Sequence, residues 1–339
     1  MSDAAVTRDG LAGVRPGREA RIWSGPAVGP GQTSQDPRGR TETARPREAA
    51  AESYYGKPII NPPVWAEREI AGYLFTGGLA GASSILAAVA DVSDRPRLAR
   101  RSRLCASAAV SISFAALIKD LGRPARFINM LRVIKPTSPM SVGTWVLSAY
   151  APLNYLASAT DVAGRATGSG RTAGLGAGVL GSFVASYTGA LVANTAVPAW
   201  HEGHRELPLL FASSAAAAAG GYGLIAAPRH ENAPAARMAV LGAAGELAAE
   251  LALERRLGPI AETLNTGVAG RRLRAARLLT LAGAASAATV ARHSRFGAVL
   301  GGGALLGSSL LARLAIFAAG MQSAQDPKYT VQLQRERGH

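Results

Sequence analysis

The chain holds 339 residues, 48% of them hydrophobic and 17% charged, with a formal net charge of +15. A positive mean hydropathy (+0.12) beside a pI near 10.9 requires the apolar residues and the cations to occupy different stretches. The single cysteine, Cys105, excludes an intrachain disulfide and cannot supply the thiolates of a structural zinc site or an iron–sulfur cluster, so any such centre belongs to a partner.

Residues 1–53 read as a disordered basic tail: the first fifty hold eight of the 37 basic residues amid Gly, Pro, Ser and Thr. No apolar run follows the early arginines, which argues against a secretory signal. Residues 54–68, with Pro58, Pro62 and Pro63, read as an extended arm lying against a partner. From 69 to 320 long apolar stretches alternate with short Arg-rich or Pro/Gly-rich breaks, the pattern of an all-α integral membrane domain. Eight transmembrane helices are expected, at 69–90, 104–121, 140–160, 172–197, 207–227, 236–254, 275–292 and 296–320. The sixth is the weakest, because Arg237, Glu246, Glu250 and Glu254 interrupt it. Ala, Gly and Ser dominate these runs, so the helices should approach closely through small residues. Residues 321–339 form a C-terminal tail.

Orientation rests on Lys and Arg placement. The loops after the second, fourth and sixth spans carry twelve basic residues and the opposite loops eleven, which leaves the decision to the tails. Ten basic residues up to Arg68 and three after Gly320 favour both termini in the cytoplasm of an inner-membrane protein.

Five blocks in order carry a family resemblance. They are Tyr54-Tyr-Gly-Lys-Pro58 with Pro63-Val-Trp-Ala-Glu-Arg-Glu-Ile-Ala-Gly-Tyr73 and Gly77-Gly-Leu-Ala-Gly81; Asp120-Leu-Gly-Arg-Pro-Ala-Arg-Phe127; Ser138-Pro-Met-Ser-Val-Gly-Thr-Trp145; Tyr187-Thr-Gly189 with Asn194 and Pro198-Ala-Trp200; and Arg313 with Ala319-Gly-Met-Gln-Ser-Ala-Gln-Asp-Pro-Lys328. Together they resemble the membrane subunit of the NrfD/polysulfide-reductase family over residues 54 to about 335. The resemblance implies an eight-helix anchor of two four-helix bundles that reacts with a diffusible quinone, of the menaquinone type. It implies no haem or iron–sulfur cluster in this chain, a ferredoxin-like iron–sulfur partner, and usually a molybdopterin-containing catalytic subunit beyond. The five histidines lie at loops or ends, which independently disfavours a haem-binding anchor.

Quinone chemistry moves two electrons and two protons, so it needs hydrogen bonds to the carbonyl oxygens and a titratable route to water. Parity of the spans places Glu69, Tyr73, Asp120, Arg123, Ser138, Trp145, Tyr187 and Asn194 in the half of the membrane facing the N-terminal side. These are the candidate quinone-site residues, with Asp120 and Tyr187 as the catalytic pair. Five of them have a plainer reading: Asp120 with Arg123 and Arg126 as a helix-end ion pair, Tyr187 bonded to a neighbouring serine or carbonyl, Glu69 and Tyr73 as interfacial anchors. Glu246, Glu250 and Glu254 recur every fourth residue and form one acidic stripe. With Arg313, the one basic residue placed clearly inside a span, Glu246 and Glu250 read either as a structural salt bridge or as a proton path. No metal site is expected. A secondary transporter or a purely structural anchor of the complex remain the alternative function classes, although no inverted repeat relates 69–200 to 207–320.

Overall fold

The computed structural model describes residues 6–7, 10–11, 60, 63, 67–120, 129–132, 134–164, 168–291 and 293–331, and most of the N-terminal tail, most of the 54–68 arm, Arg123 and Arg126 lie outside these. The chain divides into two units, Met1–Glu52 and Ser53–His339. In the first, Val6–Thr7 (β1) pairs antiparallel with Gly10–Leu11 (β2), a ladder too short to be stable by itself.

The second unit is helical. Its eight long helices among the described residues are α1 (Glu67–Val92), α2 (Pro96–Asp120), α3 (Pro139–Val162), α4 (Gly168–Ala193), α5 (Glu206–Ala226), α6 (Ala233–Leu257), α7 (Gly267–Ala288) and α8 (Arg295–Gln325). They run from 21 to 31 residues, or roughly 31 to 46 Å at 1.5 Å per residue, enough for the ~30 Å hydrocarbon core. By length and composition five of them, α1, α2, α4, α5 and α8, can cross a membrane. Of the others, α6 and α7 carry charges along their length, and Pro152 removes one backbone donor from the middle of α3.

Two helix starts lie about eight residues ahead of the expected spans. α2 starts at Pro96 and takes in Arg97, Arg100, Arg101 and Arg103; α7 starts at Gly267 and takes in Arg271, Arg272, Arg274 and Arg277. A helix longer than the hydrocarbon slab can keep cations in its end turns, so an Arg-rich stretch does not mark a loop. α4 stops earlier than expected, at Ala193 instead of 197, because the approach to Pro198 is biased away from helical backbone. Gly258 (φ 51°) ends α6 in a left-handed conformation that few residues other than glycine adopt readily.

α1 packs on α2 and α4, and α3 on α4; α5 packs on α6 and α8, and α7 on α8. α1 and α5, with α8, join the first four helices to the last four. Close approach depends on small residues. A β-carbon on Gly81 of α1 would run into the carbonyl of Gly181 and, at 3.0 Å, the amide of Ala185 on α4. Gly81→Val should therefore cost about 1–3 kcal/mol or force the two helices apart, measured as a fall in thermal unfolding temperature in detergent. An unchanged transition would contradict that packing.

At the end opposite the N-terminus of α1, Arg103 is 6% exposed and forks between two carboxylates, Asp91 of α1 and Asp161 of α3 (Nη1 to Oδ2, 2.5 Å). At the other end Trp200, in the short helix Pro198–Glu202, donates Nε1 to the Ile316 carbonyl (2.8 Å) and lies against Gly320, where a β-carbon would enter its ring. Beyond α8, Lys328 donates to Glu262 (3.0 Å), and that bond holds the ammonium above its ordinary pKa. The C-terminal segment is thus tied to the loop before α7.

Candidate functional site

Tyr73 lies six residues into α1 and Tyr187 six residues before the end of α4, so each sits about 9 Å inside the same end of the protein. Although 114 positions apart, their hydroxyls are hydrogen-bonded to each other. Tyr73 is 5% exposed, and the Tyr187 ring occupies the space that a β-carbon on Gly143 of α3 would fill, with Cζ only 2.5 Å from that position. Three helices therefore fix the pair. Two phenols joined in this way leave one hydroxyl hydrogen and free lone pairs to engage a third polar group.

Beside Tyr73 lies a pocket of about 100 Å³ walled by Glu69, Leu74, Ala116, Leu117, Met140 and Val192, among others, from α1, α2, α3 and α4. Its rim carries an ion pair, Glu69 with Lys119 (2.6 Å), and its walls are otherwise aliphatic. Lys119 is largely exposed, so water and salt screen the pair and it adds little to stability. Its position at the mouth still fixes where a charge faces an entering ligand.

The other expected site residues spread out. Ser138 occupies the position just before α3 without a side-chain capping hydrogen bond and is half-buried; Trp145 is 40% exposed on α3 and does not line the pocket. Asn194 is exposed just past α4, some 10 Å along the chain axis from Tyr187. Asp120 is the last residue of α2; its side chain, with Arg123, lies outside the described residues.

The acidic stripe on α6 is buried, with Glu246 at 3% and Glu250 at 4% exposure. Glu250 pairs with Arg277 of α7 (2.8 Å), which also holds Glu254 (2.5 Å). Arg313 makes no salt bridge with the stripe, although it lies close enough to Glu246 for the two charges to attract. It is 1% exposed and donates to the carbonyls of Leu74 (3.1 Å), Phe211 (3.1 Å) and Ser309 (2.9 Å) and to the hydroxyls of Ser309 (2.6 Å) and Ser214 (3.2 Å). Its guanidinium also stacks over Phe211, 5.0 Å from the ring centre. Arg277, ten residues inside a helix that starts earlier than the sequence suggests, is the cation that pairs with the stripe. Glu246 accepts from Thr280 (3.4 Å), Thr280 is bonded to Ser308, and Ser308 neighbours Ser309 under Arg313. One polar seam thus runs from Arg313 to the partly exposed Arg277.

The family described as polysulphide reductase, NrfD, matches residues 59–266, more than half of the chain. The chain belongs to the NrfD family. Its members are membrane subunits of quinone-linked oxidoreductases, and this NrfD chain is an integral membrane protein. The matched region takes in α1 to α6, hence Tyr73, Tyr187, Glu246 and Glu250, and stops just before α7. Arg277 and Arg313 fall outside it. No curated protein matches the chain.

Proposed function

We propose that this NrfD chain is an eight-span, quinone-reactive subunit whose helices form two four-helix bundles, α1–α4 and α5–α8. The packing of α1 on α2 and α4, and of α5 on α6 and α8, supports that division. The observation that carries the reading is the bonded pair Tyr73–Tyr187 beside an aliphatic pocket, on the end where the N-terminus of α1 lies. Aliphatic walls suit a flat ring and an isoprenoid tail, and phenols donate the hydrogen bonds that quinone carbonyls accept. Menaquinone, the type the resemblance implies, is the assigned substrate, and electrons pass to or from a ferredoxin-like iron–sulfur subunit, with a molybdopterin-type subunit beyond it.

In this reading Tyr73 and Tyr187 orient one carbonyl and exchange a proton with it through their shared hydrogen bond, while Asp120 at the end of α2 connects the site to water. Both termini are cytoplasmic, so the iron–sulfur partner docks on the cytoplasmic face. The seam through Glu246, Glu250, Arg277 and Arg313 is the proton path, its carboxylates kept inside the protein as ionisable groups in membranes usually are.

Tyr187→Phe keeps the ring on Gly143 and removes only the hydroxyl. Quinone-linked turnover of the purified complex should fall about a hundredfold, the usual contribution of a positioned proton donor. Survival of both turnover and quinone-site inhibitor binding would leave a structural anchor as the better reading. Orientation is tested separately by reporters at the N-terminus: a cytoplasm-dependent fluorophore should light up, and activity of a periplasm-dependent phosphatase there would reverse the assignment.

A further inference from the structure

On the membrane half opposite the tyrosine pair, two apolar grooves flank α6 and share one ridge. The first, about 530 Å³, runs between α1, α5 and α6 from Ser93 and Pro234 near the helix ends to Ser213 and Gly242. Gly242 is nine residues into α6, so this groove descends roughly 13 Å, about one leaflet's hydrocarbon depth. The second, about 370 Å³, lies between α6 and α7 against Ala287 and Ala288. Arg237 and Leu241 line both, and Leu241 is 73% exposed on the ridge.

Arg237 is the informative group. Arg95, Arg101, Arg229 and Arg295, at the same end, each donate to a backbone carbonyl at a helix terminus. Arg237 is exposed and, like Arg97 and Arg100 at the same end, its side chain makes no hydrogen bond or ion pair among the described residues, but of the three it is Arg237 that lines the grooves. It stands one turn inside α6, at headgroup depth, where a guanidinium between two oily grooves needs an anion. We infer that the ridge is a binding site for one diacyl phospholipid of net negative headgroup, its phosphate on Arg237 and one acyl chain in each groove. The excess of arginines over carboxylates at this end favours an anionic headgroup over a zwitterionic one. A quinone tail could fill one groove, but it has no phosphate for Arg237 and only one chain.

The test uses the full-length chain with its co-purifying subunits, exchanged into nanodiscs of phosphatidylglycerol or of phosphatidylcholine and released into mild detergent for native mass spectrometry. One phosphatidylglycerol per chain should be retained and phosphatidylcholine should not. Arg237→Gln should weaken retention about fivefold, the value of one interfacial arginine. Ala288→Trp, which narrows the second groove from the α7 side and leaves the Arg237 charge in place, should also expel the lipid, with both variants keeping the wild-type unfolding temperature. Displacement by inorganic phosphate at millimolar concentration would overturn the acyl-chain part of the proposal. Equal retention in Arg237→Gln, or a prenylquinone found in place of lipid and lost in Ala288→Trp, would overturn it outright.

Discussion

Gly143→Val should abolish quinone-linked turnover, a larger loss than removal of the Tyr187 hydroxyl. The two variants differ in what moves. In Tyr187→Phe the ring stays where it is and only one donor disappears, so binding and about a hundredth of the rate should persist. A side chain at 143 occupies the volume of the Tyr187 ring itself, with Cδ2 at 2.7 Å from where the β-carbon would lie. The ring cannot remain, and α4 is held in turn against α1 at Gly81 and Gly181. The hydroxyl pair therefore separates instead of adjusting, and displacement of a reacting group by even 1 Å costs about a hundredfold. Overpacking adds a stability loss of about 1–3 kcal/mol. Turnover and inhibitor affinity should both vanish while the chain still folds, judged by a cooperative melt. Gly143→Ala should lie between the two, and full activity in Gly143→Val would remove Tyr187 from the site.

Much of this was legible in the sequence because the bilayer imposes long apolar runs and because a helix that crosses reverses direction. Parity alone put Tyr73 and Tyr187 at the same end, and the structure brings their hydroxyls into contact. Parity is silent on angle about each helix axis. For that reason parity groups Trp145 and Asn194 with the tyrosines although both lie on exposed surface away from the pocket. Gly143 was invisible for a related cause: its role is the absence of a side chain, and only the partner helix shows what fills the space. The arginines at 97–103 and 271–277 misplaced two helix starts, since hydropathy reports where the slab begins and backbone hydrogen bonding continues beyond it. That shift is what hid the Arg103–Asp91–Asp161 cluster and the Arg277–Glu250 pair.

Arg313→Ala should destabilise the chain by about 3–5 kcal/mol, comparable with breaking a buried ion pair, because this side chain joins α1, α5 and α8. All three of its nitrogens donate to groups with no water to replace them, and each hydrogen bond from a charged donor is worth about 1.5–3 kcal/mol before non-additivity is taken into account. Arg313→Met restores most of the volume and isolates the polar loss, so it should remain well below wild type. Arg313→Lys keeps the charge on a point donor that cannot span Leu74 and Phe211 together, and should recover about half of the deficit. A double-mutant cycle with Glu246→Gln separates packing from charge. If the buried cation also balances Glu246 through Ser308 and Thr280, the double variant should be more stable than the sum of the two single losses. Denaturant titration in mixed micelles reads all five variants against wild type on one scale. Strict additivity would confine Arg313 to holding the helix junction and leave the carboxylate seam without its inner counter-charge.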